Sequence, residues 1–120
     1  MLAQQEFEVA IVTAQMACEV LSEQVISRTF RAKGIQYLEN AIDEMVPTYN
    51  LSNDKVRKLY VSLTEDSIQH EFFWEDYKRM VSLRNKAIHA GGKVQREQAE
   101  VGIRAAGHFI AHLTRLMERL

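Results

Sequence analysis

The residue types best suited to chemistry lie together in residues 83–91. There Arg84 is followed directly by Asn85 and, after three further residues, by His89. Arginine carries a permanent charge on a planar group that matches a phosphate, and histidine transfers protons near neutral pH without a metal. The pair therefore predicts acid–base chemistry at a phosphate. This spacing alone is common in helical proteins, so the neighbouring helices and turns decide whether it indicates a functional site.

The spacing limits what these side chains can do on one helix. Arg84 and His89 point about 140° apart around a regular helix, so they reach one small target only if the helix loosens at His89 or a second copy of the chain shares the site. Asn85 lies one turn before His89 and can hold its imidazole through a hydrogen bond. The pattern places Arg84 at the edge of an apolar stripe, where we expect an acidic group, a carbonyl or a substrate phosphate beside it. The alternative interpretation is a buried ion pair and a helix-terminal histidine.

The elements that position this segment are all predicted to be helices, because apolar residues recur at three- and four-residue steps and no segment alternates as a strand does. The predicted helices span residues 2–33, about 36–46, a third segment capped by Ser52 or Asn53, a fourth from about 72 to Gly91-Gly92, and about 95–120. The fold class is therefore all-α, an up-down bundle of four main helices plus one short helix in a single domain, 1–120.

Four of these helices carry apolar residues whose predicted placement determines how the helices pack. The stripe of the first helix is wide, since Val12, Met16, Val20 and Ile26 flank it, which predicts contact with more than one neighbour. Other residues predicted to face inward are Leu38, Ala41, Ile42 and Met45 of the short helix, Ile88 of the fourth helix, and Val101 and Leu120 of the last.

Composition restricts the class of protein. The chain has 120 residues, a net charge of −1 and a single cysteine, Cys18. The single cysteine makes an internal disulfide impossible. We expect a cytoplasmic protein without a membrane partner, because no apolar run is predicted to reach transmembrane length and no signal pattern is present. The charge argues against a protein that coats nucleic acid non-specifically, but not against a local basic site.

The segment Leu83-Arg84-Asn85-Lys86-Ala87-Ile88-His89-Ala90-Gly91 resembles the R-(N/D/H)-x-x-x-H signature of HEPN domains, small all-helical modules found in many metal-independent RNases. Phe72-Phe73-Trp74 at the start of the motif helix, the glycine turn after it and the one further helix are similar to the family's layout. So is an acidic residue, Glu19, inside a long first helix. Gly91 departs from the toxins paired with nucleotidyltransferase antitoxins, which usually have a tyrosine there.

The resemblance implies an endoribonuclease that acts as a homodimer, with the two motifs meeting across the interface. Arg84 would bind the scissile phosphate, His89 would move the proton and Asn85 would orient His89. Many family members are toxins or antiviral defence RNases that leave a cyclic phosphate. The implied partners are therefore RNA, a second copy of the chain, and a neutralising antitoxin or a larger defence protein.

Several further residues have weaker predicted roles. Glu19 and Glu23 share one face of the first helix and can pair with Arg84 or orient His89, although lone glutamates on a long helix are more often surface charges. The residues predicted to contact RNA are Lys86, Lys93, Arg104 and His108.

No metal or other cofactor is predicted. His108 and His112 have a spacing that can bind zinc, but nothing nearby supplies a third ligand, and a solvated or RNA-facing helix face is the preferred interpretation. Cys18 is interpreted as a small core residue. The alternative function is a non-catalytic helical module for dimerisation or for binding RNA or a nucleotide.

Overall fold

The computed structural model of the chain describes residues 4–89, 91 and 93–120, and all regular secondary structure in them is helical. This confirms the predicted all-α class. The five α-helices are α1 (Gln4–Ala32), α2 (Glu39–Met45), α3 (Asp54–Thr64), α4 (Trp74–His89) and α5 (Arg96–Glu118), with 3-10 turns at Gln36–Leu38 and Ile68–His70.

Local signals set the helix ends. Gly34 follows α1 at φ +72°, a conformation that glycine adopts without strain, and Pro47 follows the end of α2. Asn53 caps α3, since its side chain accepts hydrogen bonds from the backbone of Lys55 and Val56. Gln95 caps α5 in a reciprocal capping box with Gln98.

The core lies where α1, α4 and α5 pack against one another, and α3 packs against α1. Gly102 of α5 allows the close approach, because a Cβ built there would lie 3.0 Å from both Ile11 Cδ1 and Met80 Cγ. Further along the core, the rings of Tyr77 and Phe109 stack with centroids 4.4 Å apart. Close packing of this kind leaves little room for added volume.

Helix α1 runs antiparallel to α4. Ile11 of α1 and Met80 of α4 both lie close to the Cβ position of Gly102. Cys18, which follows Ile11 on α1, contributes to raising the pKa of Tyr77, which precedes Met80 on α4 by nearly one turn. Arg84, one turn after Met80, therefore lies near the N-terminal end of α1.

Some inward-facing predictions are wrong. Leu38, Ala41 and Met45 are exposed, with Met45 77% accessible, because α2 packs mainly against the 3-10 turn before it. Ile88 is 49% exposed, as it lies in the last turn of α4 beyond the packed region. Other exposed residues among those predicted to be inside are Val101 and Leu120.

Residues Glu6–Ala32 of α1 are long and apolar enough to cross a membrane by length and composition, contrary to the reading of the sequence. One side of this helix is fully buried in the protein, at Ile11, Cys18 and Val25. A core helix passes the same test of length and composition, so this feature is weak evidence for a membrane span.

Candidate functional site

The residues of the predicted motif lie on one continuous helix. Helix α4 extends through His89, so the loosening of the helix there, one of the two predicted ways to bring Arg84 and His89 together, does not occur. Ala90 and Gly92, which belong to the predicted turn, lie outside the described residues, and Gly91 has φ +64°. Within one chain, Arg84 and His89 therefore keep their divergent directions.

Arg84 is half-buried and lies beside the buried residues of α4. It follows Tyr77, Met80 and Val81 by seven, four and three residues, and all three are buried. Its Nε atom is buried and has no hydrogen-bond partner among the residues that the structure describes. Its Nη1 donates a long bond of 3.4 Å to Asn85 Oδ1.

The predicted partner of Arg84 is only partly found. In the described part of the chain, no carboxylate lies within 4.0 Å of the guanidinium, so the buried ion pair offered as the alternative interpretation does not form there. A cation on the core side with an unsatisfied N–H is energetically costly, because that N–H loses its water without gaining an acceptor.

Asn85 and His89 are both exposed. The predicted hydrogen bond between them is not formed, since the amide oxygen of Asn85 accepts from Arg84 instead. Between residues 4 and 120, outside the two gaps, His89 has no hydrogen-bond partner. Its imidazole is thus free to meet a substrate, and Asn85 is placed to orient Arg84.

Glu19 and Glu23 are not brought to the motif. Glu19 accepts hydrogen bonds from Gln15 Nε2 at 3.2 Å and Thr48 Oγ1 at 3.5 Å, and Glu23 is exposed. The predicted pairing of either glutamate with Arg84 is absent from the ion pairs of the described residues. Glu19 instead belongs to a polar cluster against α4 that the sequence did not reveal.

That cluster contains two buried polar side chains. Gln15 is fully buried, and its Oε1 has no hydrogen-bond partner within the described residues. The Tyr77 hydroxyl donates to Asn50 Oδ1 at 3.2 Å. Burial is the main cause that raises the pKa of Tyr77, so its phenol stays protonated at neutral pH. Gln15 and Tyr77 lie on separate helices, so no pattern in the sequence predicts that they lie close together. Only the fold shows this cluster.

A groove between α4 and α5 contains one of the four predicted RNA-binding residues. Lys86 lines this groove of about 450 Å³ together with Arg79 and Glu97. Arg104 and His108 are exposed further along α5, and the His108 ring packs edge-on against Phe72 with centroids 4.9 Å apart. The groove carries charges of both signs; its other lining residues are Asp76, Met80, Ser82, Leu83, Gln98, Val101 and Gly102.

His89 is exposed and follows Lys86, a residue of the groove, by three residues. Lys93 is exposed in the segment that joins α4 to α5. His108 lies at the other end of α4, because its ring packs against Phe72. The groove therefore brings Lys86, but not His108, close to His89.

His112 is not on a solvated face, so that interpretation is wrong for this residue. Its side chain is 15% exposed, and Nε2 lies 2.8 Å from Asp66 Oδ2. Nδ1 lies 3.6 Å from Glu71 Oε1, and Asp66 also accepts from the Tyr60 hydroxyl at 2.5 Å. Through these two carboxylate contacts, His112 connects α5 to the segment after α3. His112 and Asp66 are 46 residues apart in sequence, so periodicity could not reveal the pair.

Cys18 is a core residue, as expected. Its side chain is fully buried, and burial raises the pKa of the thiol to about 12, which keeps it protonated and unreactive at neutral pH. The described residues contain no group of three or more His, Cys, Asp or Glu side chains that could hold a metal ion.

Compared with models of known protein families, with curated protein sequences and with solved structures, the chain shows no match. Its function is therefore inferred from the residues and their geometry.

Proposed function

We propose that this chain is a metal-independent endoribonuclease of HEPN type that acts as a homodimer, in which Arg84 and His89 of both copies line one cleft. The observation that carries the proposal is the state of Arg84: a guanidinium that forms no ion pair with another described residue and whose Nη1 makes a long, exposed bond to Asn85. A phosphate oxygen is the acceptor that such a planar donor group fits. The HEPN-like up-down arrangement of the helices is part of the same proposal.

The proposed reaction is an internal transfer at phosphorus. His89 accepts the proton of the ribose 2′-hydroxyl, and the 2′-oxygen attacks the phosphorus. The bond to the 5′-oxygen then breaks, and that oxygen takes a proton from the second His89 or from water. The products are a 2′,3′-cyclic phosphate and a 5′-hydroxyl. Arg84 binds the non-bridging oxygens and stabilises the extra negative charge of the transition state.

The two-chain site follows from the directions of the side chains. Within one copy, Arg84 and His89 point in different directions around α4. In the proposal, Arg84 of a second copy therefore supplies the cation for a phosphate beside His89. The two histidines provide base and acid together, which a single imidazole cannot do at one instant.

The remaining assignments belong to the same proposal. Lys86, Lys93, Arg104 and His108 steer the RNA backbone towards His89. Asn85 orients Arg84 through its amide oxygen. The protein works in the cytoplasm as a toxin or an antiviral defence component, with a neutralising antitoxin or a larger defence protein as a further partner.

A second candidate is favoured by the apolar outer side of α1. Val9, Met16 and Val20 are each more than half exposed, which is typical of an interaction surface. The candidate function is a non-catalytic helical module for dimerisation or for binding RNA or a nucleotide. Such a module would bind RNA without cleaving it.

Mixed variants test the shared cleft. Arg84→Ala and His89→Ala chains, each inactive alone, are expected to regain part of the wild-type cleavage when their subunits exchange, because the mixed dimer keeps one arginine and one histidine in the cleft. Different affinity tags on the two chains verify the exchange. If verified mixed dimers cleave no faster than either parent, the shared cleft is wrong.

A further inference from the structure

The groove between α4 and α5 has the size and the lining of a site for a small ligand. Its volume of about 450 Å³ lies within the usual range for such sites, about 300–1,000 Å³. The lining is mostly apolar and includes Leu83 of α4, which is half-buried, and Val101 of α5, which is exposed. Apolar side chains on both walls suit the two faces of a flat ring.

The packing of α4 on α5 determines which residues lie opposite each other across the groove. Met80 lies against the Cβ position of Gly102, and the ring stack described above joins an earlier residue of α4 to a later one of α5. The two helices therefore run antiparallel. Lys86, six residues after Met80, and Glu97, five residues before Gly102, consequently line the same end of the groove. This end is the one nearer His89, which follows Lys86 by three residues.

The charged residues that line the groove form a paired set and an unpaired set. Asp76 and Arg79 lie towards the other end and pair with each other at 2.9 Å. Lys86 and Glu97 are exposed, and neither forms an ion pair with a residue that the structure describes. The end nearer His89 thus offers one cation on α4 and one carboxylate on α5 to a ligand.

Gln98 adds a hydrogen-bond donor beside this carboxylate. Its Oε1 accepts from the backbone N–H of Gln95 at 3.1 Å in the capping box of α5, which leaves its amide nitrogen to donate to a ligand. The wall formed by α5 therefore combines the two acceptor oxygens of Glu97 with the donor of Gln98.

This set of groups matches one edge of guanine better than that of any other RNA base. Guanine carries two N–H donors side by side, at N1 and N2, with the acceptor O6 next to them. Adenine and cytosine each present one amino donor beside a ring-nitrogen acceptor, and uracil presents one N–H between two carbonyls. Only guanine can donate two parallel hydrogen bonds to a carboxylate, an arrangement that is strong because the acceptor is charged.

We propose that the groove binds the guanine base of the RNA nucleotide next to the cleaved phosphate. The base lies between Leu83 and Val101, with its N1–H and N2–H donating to Glu97. Its O6 accepts from Gln98, and Lys86 binds a phosphate oxygen of the same nucleotide. Unstacked bases of single-stranded RNA are recognised along this edge. The inference rests on the proposed function for its substrate, but base binding requires no cleavage.

A titration followed by the amide signals of the protein in NMR tests the base site with free nucleotides. GMP is expected to shift signals of the groove residues. It is also expected to bind about tenfold or more tightly than IMP, which lacks only the N2 amine, because a hydrogen bond to a charged group is lost. AMP, which lacks both donors, is expected to bind no better than IMP. Absence of GMP binding at millimolar concentration, equal binding of the three nucleotides, or shifts confined to other surfaces would overturn the proposal.

Glu97→Gln, with Glu100→Gln as its matched control, tests the carboxylate. Glu100 lies on the same helix and is exposed, but it pairs with Arg96 at 2.9 Å and does not line the groove. Each substitution removes one negative charge, so any general gain in attraction for an anionic nucleotide is the same. Glu97→Gln is expected to bind GMP about tenfold or more weakly, and Glu100→Gln as the wild type does, with circular dichroism showing that both are folded. A folded Glu97→Gln with the wild-type affinity for GMP would refute the assignment.

RNA oligonucleotides separate the base site from the proposed reaction. The His89→Ala chain is expected to bind a uridine pentamer with a central guanosine more tightly than one with a central adenosine, and the wild type to cleave beside the guanosine. Guanosine preference in binding without any cleavage would support the base site and contradict the proposed reaction. Cleavage at all positions alike, with selective binding of free GMP, would show that the groove takes a free guanine nucleotide and would overturn its role in the substrate.

Discussion

Replacing Arg84 by methionine is expected to stabilise the protein while it removes RNA cleavage. Methionine keeps an unbranched stem of similar length and fills the core side of α4 without a donor. Among the described residues, the buried Nε of Arg84 has no acceptor, so the substitution removes an unsatisfied buried donor. Sites that bind charged transition states often carry such a cost in stability.

The size of the effect follows from two contributions. An unsatisfied buried N–H costs about 1–3 kcal/mol. The lost bond from Nη1 to Asn85 Oδ1 is long, at 3.4 Å, and solvent-exposed, so its loss costs about 0.5 kcal/mol. The net gain in the free energy of unfolding is therefore about 1 kcal/mol, which raises Tm by about 3–6 °C for a domain of this size.

Urea denaturation followed by the fluorescence of the buried Trp74 measures this change. Arg79→Met is the matched control, because Arg79 is exposed and pairs with Asp76 at 2.9 Å on the surface; its effect is expected to stay within about 0.5 kcal/mol. Destabilisation of Arg84→Met by about 3–5 kcal/mol would refute the reasoning, since that is the cost of breaking a buried ion pair.

Three further predictions test other parts of the structure. Asn85→Ala is expected to slow cleavage by about ten- to a hundredfold, because Arg84 loses its orienting partner; initial rates with excess RNA measure this, and an unchanged rate would count against that role. His112→Ala is expected to lower the free energy of unfolding by about 1–3 kcal/mol, as it leaves two carboxylates without their partner; an unchanged urea midpoint would contradict it. Gly102→Leu is expected to lower the free energy of unfolding by about 1–3 kcal/mol or more through overpacking. Its matched control is Gly107→Leu, in open space on the same helix, which is expected to raise the free energy of unfolding by up to about 1 kcal/mol. Equal effects of the two substitutions on Tm would refute the proposed close packing.

The helices and most of their ends could be predicted because their signals are local. Apolar periodicity identified α1, α3, α4 and α5, and Gly34, Pro47 and Asn53 mark ends that the structure shows within a few residues of prediction. The failures concern tertiary contact. Met45 has a helical apolar spacing but no element covers it, and the spacing of one helix carries no information about that.

The candidate site was only partly predictable for the same reason. The position of Arg84 beside the buried side of α4 is present in its spacing from Tyr77, Met80 and Val81. The absence of a counter-ion among the described residues could not be predicted, because it depends on which side chains other helices bring to α4. The pairing of His112 with residues after α3 depends on long-range packing in the same way.

The most direct test of the proposed function compares RNA cleavage by the wild type and by His89→Ala, purified identically and assayed with excess EDTA. The proposal predicts that the wild type still cleaves and leaves a 2′,3′-cyclic phosphate. His89→Ala is expected to be slower by about 10²–10⁴-fold or more, because proton transfer is lost, with fold and RNA binding retained. Equal cleavage by both proteins, or wild-type cleavage that EDTA abolishes and added zinc or magnesium restores, would contradict it.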